Sequence, residues 1–332
     1  MRLSVAILIM LLCSSCRKNG LPPTTVKYHH LTTDSLQFLQ TNIPTDTYND
    51  LCFVNGTTGY AVSVNGNIVK TMDGGLGWTK LTTNVTFNLT SVQFIDAQTG
   101  YVTGGDATDG YLLKTTDGGS SWQKLPLSLP EPGWPTGMFF VNASKGFIAG
   151  KNFFRKTIDG GSTWNDIPGV TAENFADVSF SSASNGFATA AGGKLFVSSN
   201  GGDAWYAVKT STTEPLGKIY HSGAGSFSLS PSGLVDLSTG KLSATAHIPQ
   251  GVVRLLFLND KNCIGIGQHY KAGFFPYGDI HLTNSAWETS SRKTYQPFSE
   301  ALELKTMAKK AEGKVLMIGR AVQGTAVIEL SY

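Results

Sequence analysis

Thr115-Thr116-Asp117-Gly118-Gly119-Ser120-Ser121-Trp122 is one of four copies of a single pattern. The others are Thr71-Met72-Asp73-Gly74-Gly75-Leu76-Gly77-Trp78, Thr157-Ile158-Asp159-Gly160-Gly161-Ser162-Thr163-Trp164 and a weakened Ser198-Ser199-Asn200-Gly201-Gly202-Asp203-Ala204-Trp205. The four tryptophans stand 44, 42 and 41 residues apart. Trp287 follows Trp205 by 82 residues, twice the last step, so a unit without the motif sits between them. A fixed period of about 40 residues is the signature of a repeat architecture. Each unit reads as four short strands, which in the second unit are 91–95, 100–103, 111–115 and 122–125. Asp-Gly between alternating apolar residues closes a hairpin, because glycine reaches positive φ at little cost and aspartate accepts from the turn's own amides. A lone four-stranded sheet cannot bury both faces, whereas sheets stacked radially about an axis can. The pattern therefore predicts an all-β fold, a β-propeller of four-stranded antiparallel blades.

Blades are expected near 51–82, 89–126, 134–168, 175–209, 217–248 and 251–290, with 300–331 supplying only three strands of a seventh. The missing outer strand has a candidate at the other end of the chain. Tyr28-His29-His30-Leu31-Thr32-Thr33 aligns with Trp78-Thr79-Lys80-Leu81-Thr82-Thr83. Pairing the two ends would close the ring and remove an exposed edge. Six or eight blades remain compatible with the degenerate second half.

Composition agrees with this reading. The chain has 38 glycines in 332 residues and only 15 % charged residues, against typical usage of about 7 % and about 25 %. That balance means many tight turns and few charged helix faces. With 41 % apolar residues it can bury a large core, which excludes wholesale disorder. A formal net charge of +3 is too small a field for non-specific nucleic-acid binding.

The first twenty-five residues read as an address and a tether. Arg2 and the apolar run Leu3–Leu12 have the proportions of a signal peptide rather than a membrane span. The run ends in Cys13-Ser14-Ser15-Cys16, which resembles the lipobox of bacterial lipoproteins, with Cys13 in place of the commoner leucine. Residues 1–15 are thus expected to be removed, Cys16 to carry the lipid, 16–25 to form a solvated leash, and 26–332 to form one propeller domain. An ordinary secretory signal is the alternative. Either places the protein outside the cytoplasm, and the lipid would hold it at the cell envelope, periplasm-facing or on the surface.

The Thr-x-Asp-Gly-Gly-x-x-Trp motifs resemble the Asp-box of the bacterial neuraminidase repeat. With Thr58-Gly59-Tyr60 and Thr99-Gly100-Tyr101 before the second strands, the unit most resembles the propellers of the photosystem II stability and assembly factor family, over residues 51–208. The resemblance implies a non-enzymatic, membrane-associated factor that binds other proteins, and it does not imply photosynthesis. It also implies a structural role for Asp73, Trp78, Asp117, Trp122, Asp159, Trp164, Asn200 and Trp205. Sialidases share the motif but use an arginine triad; here the arginines fall at unrelated strand positions, Arg155 before a third strand, Arg254 in a first, Arg292 after a fourth and Arg320 at the end of a second.

No pattern for chemistry stands out. His29, His30, His221, His247, His269 and His281 lack metal-ligand spacing, Cys52 and Cys263 fall on blades that do not touch, and there is no nucleophile elbow or phosphate loop. No cofactor or metal is expected, and a calcium site on Asp106 and Asp109 is poorly specified. Binding residues concentrate on loops held by a rigid scaffold. The loops between second and third strands share one end of a propeller with the blade-to-blade connections. There the candidate surface comprises Trp134 in LPEPGWPT, Lys151, Asn152, Arg320, and His269, Tyr270, Phe274, Phe275 and Tyr277 in GQHYKAGFFPYGD. These aromatics either bind a partner or fold back to cap the ring. The expected function is a monomeric, lipid-anchored, non-catalytic platform for an envelope protein. The alternative is a carbohydrate-binding protein or a divergent sialidase-like enzyme, which would need paired carboxylates at the axis.

Overall fold

The structure, a computed structural model, describes residues 35–106, 108–127, 129, 133–170, 173–243, 248–249, 251–258, 262–269, 277–283, 292–295, 302–321 and 324–332. These form seven sheets, each of four antiparallel strands, with one 3-10 turn at Ala191–Gly193. In chain order the first strands are Tyr48–Phe53, Asn88–Phe94, Pro135–Phe140, Phe175–Phe180, Ile219–Ser222, Val252–Phe257 and Leu302–Ala311. Each touches the first strand of the next blade, and the seventh touches the first, so these strands line the axis of a closed ring. The seven-bladed propeller expected from the repeat is what the chain forms.

Closure uses the amino-terminal side, as expected, but a different segment. The outer strand of blade 7 is Ser35–Phe38, paired antiparallel to Gly324–Ser331 from Ser35 opposite Ser331 to Phe38 opposite Ile328. The proposed 28–33 segment lies outside the described residues. Leu36 explains the choice: it is 3 % exposed within a cluster of Ile264, Ile280, Leu304, Met317 and Ile328 shared by blades 6 and 7. The chain then crosses to blade 1, where buried Asp46 accepts from Ser63 Oγ (2.5 Å), Asn65 Nδ2 (2.8 Å) and Asn67 Nδ2. Its own amide donates to Thr325 Oγ1 at 2.8 Å. The carboxylate anchors this residue in blade 1, and its backbone amide and carbonyl tie it to Thr325 of blade 7.

Neighbouring blades are joined by a repeated aromatic device. Phe94 stacks on Tyr60 of blade 1 with centroids 3.8 Å apart, Phe140 on Tyr101 of blade 2 at 3.5 Å, and Phe180 on Phe147 of blade 3 at 4.9 Å. The Asp-box tryptophan of the same blade meets each phenylalanine edge-on: Trp122 to Phe94 and Trp164 to Phe140 at 6.1 Å, Trp205 to Phe180 at 5.7 Å. Offset and edge-on pairs are the favoured aromatic geometries. A glycine is needed beneath each ring. A Cβ on Gly100 would stand 2.5 Å from the Phe94 ring, which accounts for the glycine of the Thr-Gly-Tyr turn.

The inner strands carry a matching set of polar joints. Most are bulged at one register, as between Tyr48 and Asp50 or Leu89 and Ser91. The bulged residue reaches the next blade's backbone: Asn49 Nδ2 donates to Leu89 O (2.7 Å), Thr90 Oγ1 to Pro135 O (3.1 Å) and Thr136 Oγ1 to Phe175 O (2.8 Å). A bulge re-aims a side chain without ending the ladder, and here it turns each strand towards its neighbour.

Candidate functional site

The two ends of the ring differ in what their polar groups do. At one end lie the Asp-boxes, between third and fourth strands. Thr115 Oγ1 is buried, accepts from Gly119 N (2.9 Å) and donates to Asp117 Oδ1 (2.7 Å). Asp117 in turn accepts from Ser121 N (2.9 Å) and Ser121 Oγ (2.6 Å). The Ser121 hydroxyl and amide hold the Asp117 carboxyl down to about 2, and Thr163 does the same for Asp159. Hydrogen bonds made to the ionised form favour it. Asp73 and Asn200 make the same contacts to Thr71 and Ser198. Trp78 and Trp164 donate to the carbonyls of Gly75 (3.0 Å) and Gly161 (3.1 Å) of their own turns.

Each box is also gripped by the preceding blade. Gly118 O accepts from both Tyr60 Oη and Lys70 Nζ of blade 1 at 2.8 Å, and Gly160 O accepts from Lys114 Nζ at 3.0 Å. At φ 85° Gly119 lies so near blade 1 that a Cβ would stand 2.9 Å from Leu81. These motifs are joints between blades, not a reaction centre.

At the axis, two acid–base pairs were not foreseen. Arg254 of blade 6 passes Thr306 of blade 7 and reaches blade 1, where Nη2 donates to Asn49 O (2.6 Å) and Nη1 lies 3.3 Å from Asp50 Oδ1. Asp50 Oδ2 accepts from Ser91 Oγ (3.1 Å) and Val92 N (3.0 Å). Asp177 accepts from Ile219 N (2.9 Å), with Lys218 Nζ at 3.5 Å. Burial pushes the Asp177 carboxyl up, and the Lys218 ammonium opposes that shift. Both axial carboxylates are thus engaged by a base and a backbone amide. Arg254 lies in a first strand, as the sequence indicates, and is a strut from blade 6 past blade 7 to blade 1. Arg155 lies within a third strand, not before it, and binds Asp166 at 2.7 Å, while Arg292 opens a fourth strand instead of following it.

The opposite end carries the connections. Trp134 is 42 % exposed immediately before the inner strand of blade 3. Its Cβ packs beside Gly105 and its carbonyl beside Gly150, which place it between the second-to-third turns of blades 2 and 3. Lys151 and Asn152 form the second of those turns and are exposed, with Asn152 at φ 63° donating its amide to Glu173 O (2.8 Å). Arg320 is exposed near the end of the second strand of blade 7, opposite Glu303 and Thr325. His269 and Tyr277 are paired across strands that reach further than the 267–279 loop reading allowed. Tyr270, Phe274 and Phe275 lie outside the described residues, as does Cys16. Trp134, Lys151 and Asn152 are therefore brought together; Arg320 belongs to a distant blade.

Asp106 Oδ1 accepts from Thr108 N (2.9 Å), Thr108 Oγ1 (2.7 Å) and Asp109 N (3.0 Å), a turn bond set in place of the calcium ligation considered above. Among the described residues no group of three or more His, Cys, Asp or Glu side chains could hold a metal ion. His221 is half-buried, 2.8 Å from both Ser226 Oγ and Ser179 Oγ, and burial holds it down to about 4. Neither Cys52 nor Cys263 is in a disulfide; Cys263 is buried and Cys52 half-buried.

Residues 30–139 match the family model of the Photosynthesis system II assembly factor YCF48. No curated protein matches the chain in sequence. Among solved structures it is similar to YCF48 bound to D1 peptide, at 18 % identity and TM-score 0.67 over 94 % of this chain and 99 % of that one. YCF48 from Cyanidioschyzon merolae is similar at 18 % identity and TM-score 0.67, over 89 % and 98 %. The GH74 xyloglucanase from Xanthomonas campestris is similar at 13 % identity and TM-score 0.63, over 86 % of this chain and 52 % of that one. At such identities the likeness is one of fold. The chain is a seven-bladed β-propeller that over residues 30–139 matches the model of the YCF48 assembly factor family.

Proposed function

We propose that the protein is a non-catalytic platform that binds another protein through the loop end of the propeller, held at the cell envelope by a lipid on Cys16. The observation that carries this reading is the division of labour between the two ends. Asp-box groups are spent on turns and blade joints, while Trp134 stands 42 % exposed between two turns. Exposed tryptophans are enriched among residues that anchor protein interfaces. A structure of the YCF48 fold bound to a peptide supports the same use of this architecture. The axial acids do not favour glycoside chemistry, because Asp50 and Asp177 are each tied to a base and an amide, where a general acid and a nucleophile must be free to act.

Two experiments test the reading. Trp134→Ala with Tyr277→Ala should abolish partner capture from envelope extracts while the thermal midpoint is retained; capture that persists would sink the loop-end assignment. Cys16→Ser should end metabolic labelling with palmitate and release the protein from membranes. Unchanged labelling would refute the anchor.

A further inference from the structure

Blade 2 holds, at the same end as Trp134 but on the face turned towards blade 1, a second aromatic arrangement. The Phe87 and Tyr111 rings lie 4.6 Å apart at 30°, and the Lys124 ammonium sits 3.4 Å from the Tyr111 centroid and 5.4 Å from that of Phe87. Tyr111 Oη donates to Asp109 Oδ2 at 3.1 Å. Asp106 precedes it in the same turn, its carboxyl held down to about 2 by Thr108 and hence ionised at neutral pH. The register builds this group. Lys124 pairs with Leu113, which shares a strand face with Tyr111, so the lysine stem runs back over the ring. Lys124, Asp106 and Asp109 are exposed and the two rings half-buried. Gly105, against which Trp134 packs, adjoins Asp106.

Two π faces flanked by carboxylates attract an ammonium ion, and here one is already bound from within the chain. Lys124 reaches solvent, so its ammonium can leave the rings without unfolding anything. The vacated place would keep its charge and shape.

We propose that Phe87, Tyr111, Asp106 and Asp109 form a docking cage for a lysine ammonium of a polypeptide partner, with Lys124 as its internal placeholder. The proposal rests on the reading of the loop end as a protein-docking surface and names the partner's chemistry there: a lysine-bearing segment that also meets Trp134. A placeholder lowers apparent affinity by the fraction of time it fills the site. Removing it should therefore tighten binding.

The test uses the full chain and two acetylated peptides, glycine and serine around one central lysine or one central glutamine, followed by the ring resonances of Tyr111 and Phe87. Lys124→Gln should bind the lysine peptide about fivefold more tightly than the unsubstituted protein, the factor expected when an exposed cation–π contact is vacated. The glutamine peptide should be unaffected, and Tyr111→Leu should erase the preference for lysine, with Phe87→Leu as a second variant. Equal binding of the two peptides to Lys124→Gln, or no gain over the unsubstituted protein, overturns the cage. Partner capture retained by Trp134→Ala overturns the docking surface instead, so the two failures are told apart.

Discussion

In blades 2, 3 and 4 an Asp-box tryptophan stands edge-on to a phenylalanine that stacks on the preceding blade, whereas blades 5 to 7 hold the same sheets together by other means. His221 takes the phenylalanine's place in blade 5, tilted against Phe187 at 6.1 Å and fixed by two serines instead of an indole. In blade 6 Phe257 still meets Phe227 at 5.4 Å, but is only half-buried. Blade 7 meets blade 6 through apolar residues around Met317, while Glu329 receives Lys310 (2.6 Å) and Lys314 (2.8 Å) within its own blade. A propeller blade therefore needs a filled joint, not a particular motif. The Asp-box is one way to fill it, and the only one with a conspicuous sequence signature.

The largest test of that contrast is a matched pair of truncations. Phe140→Ala removes a ring 1 % exposed and packed on two aromatics, and should cost about 3–5 kcal/mol. Phe257→Ala should cost visibly less in urea denaturation; equal losses would mean that the two halves are joined alike.

Acid should then separate the halves by pH window. His221 titrates near 4 in the folded protein against an ordinary 6.5, so the unfolded chain binds its proton first as pH falls. Stability should drop by on the order of 2–3 kcal/mol between about pH 6.5 and 4, and His221→Gln should flatten that limb. Asp117 and Asp159 titrate near 2 against about 3.8, so their contribution is present above about pH 4 and lost as pH falls to about 2. Asp117→Asn with Asp159→Asn should weaken this lower limb alone. Thermal midpoints across the range would show both.

Thr115→Ala is a smaller perturbation, since it orphans the buried Gly119 amide at about 1–3 kcal/mol. Smallest of all, Trp134→Ala should shift stability by no more than about 0.5 kcal/mol, as expected of an exposed position. A larger loss would make it a packing residue.

Much of this was legible before any coordinates. The Asp-Gly-Gly turns and the tryptophan spacing led to the blade count, and the need for an outer strand led to closure by the amino-terminal side. The joints were written less openly. Phe53, Phe94, Phe140 and Phe180 each precede a glycine by six residues, and Lys70, Lys114 and Lys156 each precede the first Asp-box residue. Both regularities could have been read. Arg254 reaching Asp50 could not, because the pair is 204 residues apart and is brought together only by the curvature of the ring. The ammonium cage was hidden for a similar reason: Phe87, Tyr111 and Lys124 come from three segments whose register is set by the sheet.

The latch between Ser35–Phe38 and Gly324–Ser331 has a temporal consequence. The Asp-boxes of blades 2 to 4 each grip a blade already made, so those joints can follow the chain as it emerges. Ring closure joins Ser35 to Ser331 and must wait until the strand that holds Ser331 has been made. Until then the edges of blade 7 stay open to any strand that comes by, and the newborn protein is most in need of protection at its last step.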